Sequence, residues 1–161
     1  MKQITCLVMV FLIWLLLTWT LDTHQLAAGL VFSILVTVFI SDTFPQRPGR
    51  FLIPRRWFWM LIYLPYFLYY CVRANLDVAY RVLHPDMPIH PGIVKVTTGL
   101  TSDMGKAFLA NSITLTPGTL TVDIDGQDLY IHWINVTTDD PAEQTREIVD
   151  KFEPMLRKIF E

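Results

Sequence analysis

The chain has 161 residues, 52% of them hydrophobic, and a formal net charge of −2. That charge is unevenly placed: residues 1–84 carry +4 and residues 85–161 carry −6. An acidic distal half argues against nucleic-acid binding, which needs a basic patch, and the two cysteines, Cys6 and Cys71, both in apolar sequence, rule out a disulfide framework or a Cys-rich metal centre there.

Two apolar blocks, residues 3–21 and 23–41, flank Asp22. At ~1.5 Å per residue, ~19 helical residues reach ~28 Å, close to the hydrocarbon thickness of a bilayer. Residues 4–20 and 26–40 are predicted as two spanning helices joined by a tight turn. A cleavable signal peptide is disfavoured, because the first block is long, no small-x-small site follows it and a second block comes at once. Gly29, Ala27 and Ala28 offer a small-residue surface for close helix approach. Arg47, Arg50, Arg55 and Arg56 follow the second block while the turn has no Lys or Arg. The positive-inside rule then puts both hairpin ends in the cytoplasm.

Residues 57–72 are uncharged and rich in Trp, Tyr and Phe, with Pro65 at the centre. Such rings favour the membrane–water boundary. Arg73, Asp77 and Arg81 recur at four-residue spacing, so they share one helical face and can pair. Residues 57–83 are read as one long helix, kinked or straight, on the cytoplasmic membrane surface. The rival reading is a third span, which would put the acidic half outside.

A Pro-rich linker, His84 to Gly92, precedes a segment of ordinary soluble composition. Residues 93–98 alternate like a strand. Ser102 can cap a helix running to about Asn111. Residues 119–124 and 129–136 alternate, with Leu120, Val122 and Ile124 on one face, and Asp125-Gly126 between them signals a hairpin. Asp140, Pro141 and Glu143 sit at cap, first and third helix positions. Ile148, Phe152, Met155 and Ile159 continue at helical spacing, with Pro154 as a candidate kink. The expected fold is a membrane α-helical hairpin (1–42), a basic loop and aromatic surface helix (43–84), and a small α+β cytoplasmic domain (85–161) of order strand–helix–strand–strand–helix.

Chemistry-bearing residues are sparse. Neither predicted span holds Asp, Glu, Lys, Arg or His, and ion paths through membranes need such groups at depth. A complete ion channel within this chain is therefore disfavoured; Asp22 and Asp42 fall at span ends as solvated carboxylates. His84, His90 and Asp86 lack a further ligand for a metal, so no metal or cofactor is expected. His132 alternates on a strand, and His24 lies at the interhelical turn. No nucleophile elbow or phosphate loop is present, and the Asn135-Val-Thr sequon would be inert in the cytoplasm. The densest signal is Asn111-Ser-Ile-Thr-Leu-Thr-Pro-Gly-Thr-Leu. There Thr114, Thr116 and Thr119 can satisfy backbone groups around Pro117-Gly118, and an interaction surface is the alternative role.

Ala74-Asn-Leu-Asp-Val, Met87-Pro-Ile-His-Pro-Gly-Ile-Val and the Asn111–Leu120 run resemble the E-type subunits of multisubunit Mrp-type Na+/H+ antiporters, across essentially the whole chain. The resemblance implies a non-enzymatic accessory subunit of a cation/proton antiporter complex in the inner membrane, hetero-oligomeric with other membrane subunits, in contact with the lipid bilayer and not with nucleic acid. It implies two spans and a cytoplasmic C-terminal domain. Thr114, Thr116, Pro117 and Gly118 are its motif positions, without a chemical role. Related subunits occur in energy-converting oxidoreductases such as membrane-bound hydrogenase, which is the second reading. A third is a Na+ path lined in part by Asp42 or by the Arg73–Asp77–Arg81 face.

Overall fold

A computed structural model describes residues 2–40 and 53–161. The chain divides into two compact units, Met1–Ile53 and Pro54–Glu161. Asp42 and the basic segment with Arg47 and Arg50 lie outside the described residues.

The first unit is a pair of packed helices, α1 (Lys2–Thr18) and α2 (Thr23–Ile40). Trp19, at φ 52°, ends α1 in the left-handed region, and Leu26 N–H donates to the Asp22 carbonyl at 2.9 Å to open α2. Cys6 and Ser33 are fully buried in this pair. Its outer surface is apolar: Leu12, Leu16, Leu17, Val31, Leu35 and Val38 are among the exposed side chains. An apolar exposure this extensive marks a surface that meets lipid or another protein. No helix of the described residues is long and apolar enough to cross a membrane.

Gly29 is the contact point of the helix pair. It is buried, and a Cβ there would strike the Trp14 indole at Cδ1 and Nε1. The ring lies 5.5 Å from that of Phe32 and donates from Nε1 to the Gln25 carbonyl at 3.0 Å. Gly29 is thus spent inside the pair, whereas Ala27 and Ala28 border an open apolar groove with Trp14 and Leu35. Of the expected small-residue surface, only the alanines remain available to a partner.

The second unit opens with α3 (Pro54–Leu83), an unbroken helix of 30 residues. Pro54 occupies the first helical position, where its fixed φ suits the helix and its missing N–H costs nothing. Pro65 lies inside and leaves the carbonyl four residues earlier without its partner, but it does so on an exposed face. Inward, Tyr63, Tyr66, Phe67 and Tyr70 pack on the domain core; outward, Trp57, Leu61, Leu64, Leu68 and Val72 stay exposed.

The unit also holds a three-stranded antiparallel sheet of order β1-β3-β2, from β1 (Gly92–Thr97), β2 (Thr119–Asp125) and β3 (Asp128–Trp133). Val94, Val96, Leu129 and Ile131 form its buried face. The β2–β3 register shifts between Thr121 and Asp123, a bulge at Val122. Leu120 and Val122 face out, while Thr121 turns toward α4 (Asp103–Leu115) and donates to the Ala110 carbonyl at 3.1 Å.

Ser102 caps α4, its Oγ accepting from Gly105 N–H at 3.1 Å. Asp140 caps α5 (Pro141–Ile148) through Ala142 N–H at 3.1 Å. The final helical stretch, expected as one helix, is two: α5 stops at Ile148 and α6 spans Glu153–Phe160. The break puts Pro154 into the first turn of α6, where its missing N–H is harmless. Val149, Phe152, Leu156 and Ile159 are buried across the joint. The order of the unit is therefore helix, then strand–helix–strand–strand–helix–helix.

Two contacts tie α6 back to the start of α3. Arg56 Nη2 donates to the Phe160 carbonyl at 3.0 Å, and Lys158 Nζ lies 4.3 Å from the Trp59 ring centroid.

Candidate functional site

Three of the motif residues, Thr116, Pro117 and Gly118, meet the charged face of α3 in one cleft, while Thr114 is not among the residues that line it. Its walls are α3 (Arg73, Asp77, Arg81), the Thr116–Thr119 turn, the segment after β3, and the α5–α6 joint with Glu147 and Lys151. The cleft holds about 280 Å³.

The turn is built by Pro117 and Gly118. Pro supplies the fixed φ of a second turn residue, and Gly118 adopts φ 92°, as a type II turn requires at its third. Thr119 N–H closes the turn on the Thr116 carbonyl at 3.3 Å. A Cβ on Gly118 would meet Ile134 Cγ2 at 3.0 Å, so space as well as φ selects glycine here. The hydroxyls finish the end of α4. Thr116 Oγ1 donates to the Ser112 carbonyl at 2.8 Å and Thr119 Oγ1 to the Ile113 carbonyl at 2.6 Å. Thr114 Oγ1 accepts from Thr121 N–H at 3.1 Å. The bonds from Thr116 and Thr119 meet carbonyls that a helix C-terminus leaves over, and all three keep the hydroxyls engaged within the fold.

Asp77 is held by Arg81 through both oxygens, at 2.8 and 3.2 Å, and Arg81 also donates to the Pro88 carbonyl at 2.7 Å. Arg73, expected to share that pairing, makes no ion pair among the described residues, and Arg81 alone bonds both Asp77 oxygens. Lys151 gives no signal in the sequence, since an isolated lysine in an acidic tail has no informative spacing. It is nonetheless the second cation of the cleft without an ion pair among the described residues. Its crowded surroundings push its pKa below the ordinary lysine value; Arg73 adds to that effect and Glu147 opposes it. The Glu147 carboxylate accepts from Thr137 Oγ1 at 3.2 Å.

Behind the cleft, Cys71 lies with Sγ 3.8 Å from the Leu115 carbonyl, its thiol pKa raised by burial. Of the other candidates, His84 Nδ1 sits 3.8 Å from Asp86, while His90 Nδ1 is 3.3 Å from Asn135 Oδ1, so the two histidines face different partners. Among the described residues no group of three or more His, Cys, Asp or Glu side chains could hold a metal.

Comparison with known proteins places these features in a family. The profile of a family described as Na+/H+ ion antiporter subunit matches residues 7–159. The Na+/H+ antiporter E subunit of Alkalihalophilus pseudofirmus is 37% identical over 136 residues, 83% of this chain and 84% of the relative. The corresponding E1 subunit of Staphylococcus saprophyticus is 29% identical over 92% of this chain and 90% of its own. A chain in the solved structure of the membrane-bound sulfane sulfur reductase, an archaeal respiratory membrane complex, is 46% identical with a TM-score of 0.75, covering 99% of both chains.

Proposed function

We propose a function from one premise: the chain belongs to the family of Na+/H+ antiporter E subunits. It is a component of a membrane-associated, multisubunit Na+/H+ antiporter assembly, with other membrane subunits as its partners. The observation that carries this is the family match over residues 7–159, which takes in the helix pair, α3 and the α+β unit.

Within that assembly the chain's role is structural and not catalytic. Residues 4–20 and 26–40 contain no Asp, Glu, Lys, Arg or His, so they offer no charged relay for protons or Na+. Their apolar outer surface fits packing against neighbouring spans. The two helices form a hairpin in the inner membrane, with both ends and the α+β unit in the cytoplasm, as the arginines following the second helix favour. The exposed apolar face of α3 rests on the cytoplasmic leaflet, with its aromatic rings at the interface. The chain so placed holds its neighbours in register.

Reconstitution tests this. The purified chain alone in proteoliposomes is expected to give no Na+/H+ exchange, and deletion of its gene to lower the yield of intact complex. Exchange by the lone chain refutes the reading.

One observation favours a second setting. The 46% identity to a chain of a respiratory sulfur-reducing complex fits an energy-converting oxidoreductase that carries an antiporter-like membrane module. The role of this chain is the same in both, since its two cysteines could not hold an iron–sulfur cluster unaided. Affinity purification from native membranes separates them: co-purifying iron–sulfur proteins identify the oxidoreductase.

A further inference from the structure

We propose that the cleft between α3 and the Pro117–Gly118 turn binds a phosphate-class oxyanion between Arg73 and Lys151, supplied free or as the headgroup of an anionic phospholipid. The inference rests on the geometry of the cleft and is independent of the transport reading.

Several other cations of the unit already have partners. Arg81 is engaged by Asp77 and Pro88, Lys95 by Asp128 at 2.7 Å, Lys106 by Gly126 at 2.8 Å, and Arg157 by Glu153 at 2.5 Å. Arg73 and Lys151 line the cleft without an ion pair among the described residues, although the distal half carries −6. Glu147 offsets part of the charge on Lys151 and Asp77 is committed to Arg81, so the repulsion between Arg73 and Lys151 is left for an anion between them to remove. The apolar walls, Tyr70, Trp133 and Phe152, concentrate the field inside.

The chemistry selects an oxyanion. The cleft is lined by three cations, Arg73, Arg81 and Lys151, against two carboxylates, Asp77 and Glu147, and Asp77 is already held by Arg81, so its balance favours an anion. The guanidinium of Arg73 presents the planar fork that matches two oxygens of a phosphate, and Lys151 adds a point charge. Both residues remain open to solvent, so an ion can reach them. The space of about 280 Å³ is several times the ~30 Å³ of a water molecule. Val72 and Leu76, exposed on α3 beside Arg73, would let acyl chains lie along the helix while the headgroup enters the cleft.

Phosphorus NMR on the full chain tests this with two probes. In detergent, inorganic phosphate is titrated; in nanodiscs, phosphatidylglycerol is compared with phosphatidylcholine alone. Saturable broadening of free phosphate, or a shifted phosphatidylglycerol resonance without it, supports the site and names the source. Arg73→Gln and Lys151→Gln are each expected to weaken binding at least tenfold, and Arg73→Lys several-fold, because the charge stays and the fork is lost. Arg146→Gln, outside the cleft, should leave binding unchanged. Absence of binding by both probes overturns the proposal, as does binding that survives loss of Arg73 and Lys151, or that falls equally in Arg146→Gln. Thermal unfolding of each variant separates lost binding from lost fold.

Discussion

The oxygens of Tyr63 and Ser112, 49 residues apart in the chain, lie 2.5 Å from each other at the seam between α3 and α4. Ser112 Oγ in turn donates to the Phe108 carbonyl at 2.7 Å, so the phenol is the donor to serine. Ser112→Ala would strand a buried O–H and should cost ~1–3 kcal/mol, whereas Tyr63→Phe leaves serine with its own acceptor and should cost ~1 kcal/mol. The double variant should be more stable than Ser112→Ala alone. Thermal unfolding of the full chain in detergent checks the order; equal losses in the two single variants would refute it.

Burial pushes the Tyr63 phenol up to about 12, and Tyr66 is likewise raised to about 12 by burial and by Tyr70. A phenol that ionises later in the folded chain than in the unfolded one contributes stability that is intact below pH ~10 and is lost as pH climbs from ~10 toward ~12. At ~1.4 kcal/mol per pK step, the loss attached to Tyr63 approaches ~2–3 kcal/mol. An absorbance titration of phenolate should show a late-ionising component that shrinks in Tyr63→Phe, and alkaline destabilisation should be shallower in that variant.

Gly118→Ala combines two penalties. The left-handed φ of 92° costs an L-residue ~1–2 kcal/mol, and the new Cβ presses on Ile134. Trimming the neighbour, Ile134→Ala, relieves the second penalty and not the first. Adding Gly118→Ala to Ile134→Ala should therefore lower the melting temperature less than adding it to the natural chain, while still lowering it. No loss in either background would show that the turn conformation is unimportant.

In the helix pair, Gly29→Ala is expected to eject the Trp14 indole and break its bond to the Gln25 carbonyl. Indole fluorescence should report the change of surroundings. With Trp14→Ala already in place, the same change should be nearly silent, giving a coupling of ~1–3 kcal/mol. Independent, additive effects would mean the ring does not depend on that gap.

Much of the α+β unit was legible because local chemistry dictates it. Ser102 and Asp140 are cap residues with their helices immediately after them, and Asp125-Gly126 marks the hairpin turn. What sequence could not give was orientation across space. Leu120, Val122 and Ile124 share a pattern of two, yet the bulge at Val122 and the threonine bonds to α4 turn the polar side inward near Thr121. The spacing of Arg73, Asp77 and Arg81 put all three on one face, but it could not tell which arginine would win the aspartate. Lys151 reached the same cleft only through the α5–α6 break, a tertiary event driven by burying Val149 and Phe152.

In a sheet of order β1-β3-β2, β2 is one of the two rims of the ribbon. The extra residue at Val122 makes that rim crooked, and a second copy cannot zip along all seven of its residues. A crooked rim of this kind disfavours edge-to-edge association of two copies.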